Sequence, residues 1–557
     1  MDFGHSGDFS QFYAIVLMAI SLKMSNFKEA QILIKRYLPL FYKNLYLNHS
    51  NNSLMKKLII SVLCLVLLMQ NLQAQKIKSL KTATDTATAF DAYVQKSIKE
   101  WEIPGLAIVV VKNNKVVFKN SYGTTELGTG NKVNNQTLFA CASTTKAMTA
   151  TAMGILVDQG KVNWDDPVIK YLPSFRLYDP YVTTQMRVRD LFLHNSGVGN
   201  TDYLWALNML SSDEIMERMQ LVEPSYSFRA GFIYQNIFYG IAGQVIEKVS
   251  GMSWENYITK NIFQPLGMVQ TRAKLGLVTN ANIAKPHDKV EGKIQVIERD
   301  SADRIGAAGS VYSNIDEITL WMQCMLDSSK YEGGRLVSPD TWITLLKPQT
   351  FVTESEFYPT KQLTKPNFTT YALGWFQQDY KGRKLNYHTG SLSGEIAIHG
   401  QMPEEKTGVY VFANLDHAEA RHGLMFKAFD QYALGGNTDW SADFLTLYGN
   451  IRAKAAAASA AQEASRVMNT KPSLALIAYV GTYTDPLFGS ITISIENEKL
   501  VGENIKLGKG AISHWNYDTF QLAWNKKWYG KSGLNFRLNQ EGKVTTVEMD
   551  GVSLAKN

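Results

Sequence analysis

The 557-residue sequence predicts an α+β fold followed by a small all-β domain. Apolar runs with strand character lie near residues 106–120 and again at 373–413, and helical patterns dominate between them, from residue 145 to about 270. Beyond residue 470, short alternating segments recur about 8–12 residues apart, which is typical of a small β-barrel or sandwich. We therefore expect one antiparallel sheet flanked by helices, a helical lobe beside it, and a separate β-domain.

The strands are predicted from their apolar runs and from the turn residues between them. Leu106–Lys112 and Lys115–Asn120 are joined at Asn113-Asn114, a hairpin signal. The later strands of the sheet and the helix after them are predicted at Gly374–Gln378, Lys384–His388, Glu395–Gln401, Val409–Ala413 and His422–Tyr432. The C-terminal strands are predicted at Tyr479–Tyr483, Ser490–Ile495, Lys499–Val501, Thr519–Trp524, Leu534–Leu538 and Val544–Glu548.

The N-terminal region contains the pattern of a secretory signal peptide at residues 55–74. Met55-Lys-Lys57 gives a short basic start, Leu58–Met69 is an apolar run of 12 residues, and Ala74 is the predicted cleavage position. We interpret residues 1–54 as a non-native extension, with translation starting at Met55. The alternative is a genuine extension in which Phe12–Ser21 is a hydrophobic anchor. The signal predicts a periplasmic or secreted protein.

Three segments follow the predicted signal peptide. Residues 75–438 form the main domain, and residues 439–472 form a linker whose alanine-rich stretch Ala455–Ala461 favours a helix. Residues 473–557 form the β-domain. We expect this last domain to modulate access or assembly, including self-association of the chain, and to carry no catalytic group.

Composition narrows the classes of function and partner. The net charge is +7, but the first 74 residues hold seven Lys/Arg against three Asp/Glu, so the remainder is nearly balanced. No basic patch interleaved with aromatics is present, which argues against a nucleic-acid partner. His417 and His422 are too isolated to predict a metal site, and no cofactor is predicted. Cys141 and Cys324 could pair in an exported protein, although their apolar helical contexts favour buried free thiols.

The first candidate catalytic motif is Ser143-Thr-Thr-Lys146, just ahead of a long apolar helical segment. A Ser and a Lys three residues apart lie on one face of a helix. The lysine can remove the serine proton if burial suppresses its own charge, which makes Ser143 a candidate nucleophile.

The second motif is Tyr234-Gln-Asn236, at a turn that leads into an apolar helix. The phenol can relay protons, and the asparagine amide can hold a substrate carbonyl or amide. Tyr312-Ser-Asn314 has the same spacing, but its context predicts a turn and a helix cap.

The third motif is His388-Thr389-Gly390-Ser391 at a predicted strand. Its side chains offer donors and acceptors along one edge of a cleft, and the glycine allows substrate to approach the backbone. Lys406-Thr-Gly408 also has a Thr-Gly pair after a basic residue, but we predict that it forms a hairpin turn between two strands.

The order of these three motifs resembles the class C β-lactamase and penicillin-binding-protein superfamily, which includes D-alanyl-D-alanine carboxypeptidases, D-aminopeptidases and serine esterases. The resemblance covers roughly residues 85–435, and the β-domain resembles the lipocalin-like domain often attached to these hydrolases. The resemblance of the main domain also rests on the segments between the motifs, which are Ile103–Gly105, Trp164–Val168, Val188–Gly197, Pro265–Met268, Ala308-Gly309, Leu373–Trp375 and Phe412–Asn414.

The resemblance implies a role for each motif residue. Ser143 would be acylated, Lys146 and Tyr234 would share the acid/base work, and Asn236 would bind the substrate amide. The backbone N–H groups of Ser143 and Ser391 would form the oxyanion hole, with His388, Thr389 and Gly390 also in the substrate site. Many β-lactamases of the family have lysine where this chain has His388, which is mostly neutral near pH 7 and holds a carboxylate less firmly.

Two functions are consistent with the motifs. The first is an exported serine hydrolase acting through an acyl-enzyme on a D-amino-acid peptide, a β-lactam or an ester. The second is a non-catalytic β-lactam or peptidoglycan sensor, or a pseudoenzyme, on the same fold. The presence of every motif residue argues for the hydrolase.

Overall fold

The computed structural model describes residues 84–557. The predicted signal peptide and the alternative anchor at Phe12–Ser21 lie outside the described residues. Within residues 84–557, no helix combines the length and the apolar character needed to cross a bilayer.

An eight-stranded antiparallel sheet forms the centre of the main domain. The first fourteen strands of the described chain are β1 (Gly105–Lys112), β2 (Lys115–Gly123), β3 (Phe139–Ala140), β4 (His287–Val290), β5 (Lys293–Val296), β6 (Tyr312–Ser313), β7 (Lys330–Tyr331), β8 (Gly334–Arg335), β9 (Thr350–Phe351), β10 (Thr369–Ala372), β11 (Trp375–Tyr380), β12 (Arg383–Leu392), β13 (Glu395–Met402) and β14 (Thr407–Ala413). The order in the sheet is β2-β1-β14-β13-β12-β11-β10-β9, and all neighbours are antiparallel. The pairs β3–β6, β4–β5 and β7–β8 form small separate sheets.

The predicted strands of this sheet are all present, with ends that differ by a few residues. The hairpin between β1 and β2 turns at Asn113 and Asn114, whose φ angles of 50° and 60° lie in the left-handed region that asparagine tolerates. Tyr312 and Ser313 differ from the prediction, because they form β6 rather than a turn. This strand pairs with β3, the strand that leads to Ser143.

Helices cover both faces of the sheet. They are α1 (84–100), α2 (Thr145–Asp158), α3 (Pro180–Gln185), α4 (Tyr203–Ala206), α5 (Ser212–Arg218), α6 (Ile237–Ser250), α7 (Trp254–Ile258), α8 (Gln264–Leu266), α9 (Gly306–Gly309), α10 (Ile315–Leu326), α11 (Pro339–Leu346), α12 (Lys361–Thr364), α13 (Ala420–Phe429) and α14 (Trp440–Ala464). Two π-helical turns, Thr259–Phe263 and Asp430–Leu434, extend α7 and α13.

Side-chain alternation along the strands divides the apolar residues between two cores. Val109 of β1 belongs to the core that includes α2 and α6, whereas Ile108 belongs to the core that includes α1 and α13. Because successive residues of a strand point to opposite faces, β1, which is buried on both faces, is apolar from Leu106 to Val111. Helix α2 is itself buried along nearly its whole length, so its first turn is held rigidly.

Helix α14 has two different halves. Trp440, Ser441 and Phe444 are buried against the main domain, and Trp101 donates a hydrogen bond to the Ser441 hydroxyl. Residues 450–465, in contrast, are all exposed. The alanine-rich half is therefore a solvated helix that leads towards the C-terminal domain.

The C-terminal domain is a closed antiparallel barrel of eight strands. They are β15 (Gly481–Asp485), β16 (Gly489–Glu496), β17 (Lys499–Asn504), β18 (Gly508–Asn516), β19 (Thr519–Trp524), β20 (Lys531–Leu538), β21 (Val544–Met549) and β22 (Val552–Lys556). Aromatic rings fill its interior, with Tyr479, Phe520 and Phe536 in mutual contact at centroid separations of 4.9–5.4 Å. The predicted fold class, with its sheet, helices and C-terminal barrel, is confirmed.

Candidate active site

Ser143 lies on a tight turn between β3 and α2. It is the middle residue of the 3₁₀ turn Ala142–Thr144, and Ala142 has a φ of 47°, a conformation that is strained for a residue with a side chain. Neighbouring contacts hold the turn, because Cys141 N–H donates to Val311 O at 2.8 Å. The structure thus fixes the backbone immediately before the candidate nucleophile.

Lys146 lies in the first turn of α2 and is fully buried. Its Nζ is 3.0 Å from Ser143 Oγ, 2.6 Å from Asn236 Oδ1 and 2.9 Å from Ala308 O. Burial lowers the pKa of Lys146 to about 7, although the charge of Asp202 acts in the opposite direction. A substantial fraction of Lys146 is therefore neutral at physiological pH.

The partners of Lys146 determine where its lone pair points. A carbonyl oxygen can only accept hydrogen bonds, so the two N–H groups of a neutral amine go to Asn236 Oδ1 and Ala308 O. The lone pair then faces Ser143 Oγ, which can donate its proton. The site therefore orients neutral Lys146 as a base towards Ser143.

Asp202 fixes the orientation of the Asn236 amide. Both Asp202 carboxylate oxygens accept from Asn236 Nδ2, at 3.0 and 2.9 Å. An ionised carboxylate only accepts, so the amide oxygen must face Lys146. The sequence analysis missed Asp202, because it lies 34 residues before Asn236 and no spacing rule connects the two.

Tyr234 contacts Lys146 through its ring. Lys146 Nζ lies 5.0 Å from the centroid of the Tyr234 ring, and the His194 ring lies 4.3 Å away on centroids. The Tyr234 hydroxyl is buried, and no atom of the described residues meets hydrogen-bond geometry with it, although the Ser143 hydroxyl is close enough to affect its pKa. Burial raises the pKa of Tyr234 well above its usual value, while the Ser143 hydroxyl lowers it by a smaller amount. The phenol is therefore protonated at neutral pH.

His194 supports the turn that carries Tyr234 and Asn236. Its Nδ1 accepts from Gln235 N–H at 3.0 Å, and its backbone carbonyl accepts from Ile233 N–H at 3.1 Å. Burial lowers the pKa of His194 well below its usual value, so the ring is neutral. This agrees with the structural role expected of an isolated buried histidine.

The third motif lies on β12 with its side chains directed to different partners. His388 is buried, with Nε2 2.9 Å from Tyr371 OH and Nδ1 2.6 Å from Thr389 O. Burial lowers the pKa of His388 to about 3, so the ring is neutral and both nitrogens are occupied. Thr389 Oγ1 is 2.8 Å from Tyr358 OH.

Gly390 and Ser391 bring β12 close to the serine turn. A Cβ on Gly390 would lie 2.2 Å from Cys141 O, so only glycine allows this approach. Ser391 is exposed, and its hydroxyl accepts from the buried Arg421 at 2.9 Å. The glycine thus allows β12 to pack closely against the serine turn, and its role in substrate approach stays a prediction.

The duplicate motifs lie elsewhere. Lys406 has a φ of 47° and lies in the turn between β13 and β14, as predicted. Asn314 caps α10 by accepting from Glu317 N–H, as predicted.

Cys141 and Cys324 are both buried and free. Within the described range, no group of three or more His, Cys, Asp or Glu side chains is placed to hold a metal ion.

Replacing Asp202 with asparagine tests its control of both Asn236 and Lys146. We expect kcat/KM to fall roughly 10–100-fold, because the Asn236 amide loses one of its acceptors. Loss of the negative charge also lowers the pKa of Lys146, so the acidic limb of the pH–kcat/KM profile should move to lower pH. Asp213→Asn, which changes a carboxylate bonded to Gln244 on the surface, is the matched control. A shift to higher pH would contradict this role.

Comparison with known proteins agrees with the geometry. Residues 90–431 match the beta-lactamase family, and residues 465–556 match a domain of unknown function, DUF3471. The unguisins hydrolase ungD of Aspergillus violaceofuscus is 26% identical over 436 residues, covering 73% of this chain and 76% of that protein. Protein flp of Staphylococcus aureus is 24% identical over 346 residues, covering 60% of this chain and 64% of that protein.

Solved structures show the same fold. The octameric penicillin-binding protein homologue from Pyrococcus abyssi has a TM-score of 0.54 and 20% identity, covering 84% of this chain and 99% of that one. SurE has a TM-score of 0.51 and 16% identity, covering 86% of this chain and 100% of that one. Because the family matches more than half of the sequence, this chain belongs to the beta-lactamase family, whose members are generally serine hydrolases.

Proposed function

We propose that this chain is an exported serine hydrolase that cleaves an amide or ester bond through an acyl-enzyme on Ser143. The observation that carries the proposal is the hydrogen-bond pattern of Lys146, which directs its lone pair at Ser143 Oγ. A pKa of about 7 suits a base that works near neutral pH. The name of the related unguisins hydrolase also supports a hydrolytic reaction.

The proposed reaction divides the proton transfers between two residues. Ser143 Oγ attacks the substrate carbonyl carbon while its proton passes to Lys146 Nζ. The oxyanion is stabilised by the backbone N–H groups of Ser143 and Ser391. Tyr234, whose pKa is far above neutrality, gives its proton to the leaving group and is reprotonated from Lys146. Water then attacks the acyl carbonyl carbon while one of its protons passes to Lys146 Nζ. The bond to Ser143 Oγ breaks, the carboxylic acid leaves, and Ser143 Oγ takes the proton back from Lys146.

The neutral state of His388 bears on the substrate. A lysine ammonium at this position could attract a substrate carboxylate, but buried His388 supplies no positive charge at neutral pH. We therefore place neutral esters ahead of substrates that carry a carboxylate, which include most β-lactams and peptides ending in D-alanyl-D-alanine. A turnover panel of a chromogenic cephalosporin, a short acyl ester and D-alanyl-D-alanine peptides tests this order. Acylation by penicillin without turnover of any panel member would favour the sensor function instead.

Replacing Tyr234 with phenylalanine should lower kcat by roughly 10²–10⁴-fold, because the ring remains while the transferable proton is lost. Tyr312→Phe is the matched control, since Tyr312 is also buried and its hydroxyl has no partner within the described chain. Steady-state kinetics on the best panel substrate measure both variants. A large loss of kcat in the Tyr312 variant with little loss in the Tyr234 variant would show that Tyr312, and not Tyr234, transfers the proton.

Export is proposed from the Met55–Ala74 pattern, which precedes the described residues. Protein expressed from Met55 in a bacterial host should be processed near Gln75 and recovered outside the cytoplasm. N-terminal sequencing identifies the first residue. An unprocessed cytoplasmic product would contradict export.

Self-association through the barrel is a further part of the proposal. The solved Pyrococcus abyssi homologue is octameric, and this chain shares its fold. Light scattering coupled to gel filtration would give the mass of the particle. A monomeric mass at working concentrations would contradict self-association.

A further inference from the structure

Arg421 is a buried arginine that has no part in the reaction proposed above. It lies in the first turn of α13 and is 4% exposed, which is rare for an arginine. Its Nη1 lies 2.5 Å from Gly390 O, 2.9 Å from Ser391 Oγ and 3.3 Å from Ala397 O. A buried guanidinium needs such partners to offset its lost hydration. Arg421 therefore holds the end of β12, beside the serine turn.

Glu419 fixes the plane of the Arg421 guanidinium. Its two carboxylate oxygens accept from Nε and Nη2 of Arg421, at 3.1 and 3.0 Å. A forked pair of this kind sets the orientation of the guanidinium as well as balancing its charge. Burial acts to raise the pKa of Glu419, but Arg421 and His422 together lower it well below its usual range. The carboxylate is therefore ionised, and the fork leaves Nη1 directed at β12.

The peptide bond between Gly390 and Ser391 connects Arg421 with the proposed oxyanion hole. A trans peptide is planar, and its C=O and N–H groups point in opposite directions. No peptide bond within residues 84–557 is cis, so the Ser391 N–H points away from the carbonyl oxygen that Arg421 binds. Gly390 also packs on the serine turn, where a Cβ on it would lie 3.0 Å from Ala142 Cβ. Arg421 thus binds one group of this peptide, and the other group is the N–H assigned to the oxyanion.

We propose that Arg421 is a positioning residue that directs the Ser391 N–H at the oxyanion and strengthens it as a donor. A charge-assisted hydrogen bond to Gly390 O fixes the rotation of the peptide plane before substrate arrives. It also draws electron density towards that oxygen, which makes the N–H of the same peptide a stronger donor, as in cooperative hydrogen-bond chains. Both effects favour the negatively charged tetrahedral intermediate over the neutral substrate carbonyl. The inference rests on the proposed acyl-enzyme function.

The test replaces Arg421 with methionine in the full chain and measures turnover of the short acyl ester. We expect kcat to fall about 10–100-fold with KM within about twofold of wild type, because the lost interaction acts in the transition state. The loss should be smaller than the roughly 10²–10³-fold that follows removal of an oxyanion donor, since the Ser391 N–H remains. Thermal unfolding verifies that the variant is folded.

Arg189→Met is the matched control for the loss of a forked arginine. Arg189 binds both carboxylate oxygens of Asp165 through Nε and Nη2, at 2.8 and 2.7 Å. Its Nη1 donates to Gln349 Oε1, which lies outside β12. The control should therefore keep the wild-type kcat, and an equal loss in both variants would contradict a role specific to Arg421.

The rate of fluorophosphonate labelling separates a positioning role from a structural one. When Ser143 attacks phosphorus, the phosphonyl oxygen needs the same donors as the oxyanion, so the labelling rate constant of Arg421→Met should fall in parallel with kcat. A structural defect instead lowers the final yield of adduct and leaves the rate constant of the folded fraction unchanged. Wild-type values of kcat and of the labelling rate constant in folded Arg421→Met overturn the inference, and so does a loss confined to the yield.

Arg421→Lys tests the same role with a smaller change. Lysine keeps the positive charge but has no planar fork, so kcat and the labelling rate constant should be about tenfold below wild type. If Arg421→Met does not fold, this variant decides, and wild-type values in it overturn the proposal. If wild type itself does not label at Ser143, the proposed function fails. If wild type labels and the Arg421 variants match it, only the positioning role fails.

Discussion

Ser143→Ala should reduce turnover by about 10⁶-fold, the loss that follows removal of the nucleophile from a serine hydrolase. The effect is the largest we expect because no acyl-enzyme can form without the Ser143 hydroxyl. The substitution removes one oxygen atom from a partly buried turn, so the fold should survive. Steady-state kinetics on the best panel ester give the size of the loss.

Covalent labelling provides the second measurement on Ser143. Intact-mass analysis after treatment with a fluorophosphonate should show one adduct on wild type and none on the alanine variant. Ser253→Ala is the matched control, since Ser253 caps α7 by accepting from Asn256 N–H. It should cost about 1 kcal/mol of stability and leave labelling intact. An adduct that persists on Ser143→Ala would place the nucleophile at another residue.

The elements predicted well from the sequence are those with local signals. The Asn113-Asn114 hairpin follows from its turn residues, and strand β14 follows from the apolar run Val409–Ala413. Local context also placed Lys406 in a turn, despite its match to a catalytic motif. Such signals depend on a few neighbouring residues, so one sequence is sufficient to read them.

The parts that the sequence did not predict depend on contacts between distant residues. Tyr312 and Ser313 become a strand only because Phe139 and Ala140 pair with them. Asp202 has no feature of its own that marks it, and its role appears only when folding brings it to Asn236. The same holds for Phe488 and Tyr203, whose rings stack although about half of the chain separates them. Propensity and spacing carry no information on which distant partner a polar or aromatic side chain will meet.

Lys146→Met should lower kcat/KM by about 10⁴-fold, the upper range for loss of a general base. Methionine fills a similar volume, but it supplies no base and leaves Asn236 Oδ1 and Ala308 O without their donor. Lys384→Met is the matched control, because burial also lowers the pKa of Lys384, which within residues 84–557 donates only to Leu346 O. The control should keep the wild-type kcat/KM, and thermal unfolding verifies that both variants are folded.

The pH profile distinguishes loss of the base from loss of packing. In wild type, only the neutral amine of Lys146 can accept the Ser143 proton, and its pKa is about 7. As the pH falls below that value, the amine becomes charged and kcat/KM should drop tenfold per unit. Residual activity of Lys146→Met should lack this limb, whereas Lys384→Met should retain it. If the limb near pH 7 persists in Lys146→Met, another group is the base. Tyr234 could not be that group, because its buried phenol stays protonated throughout this range.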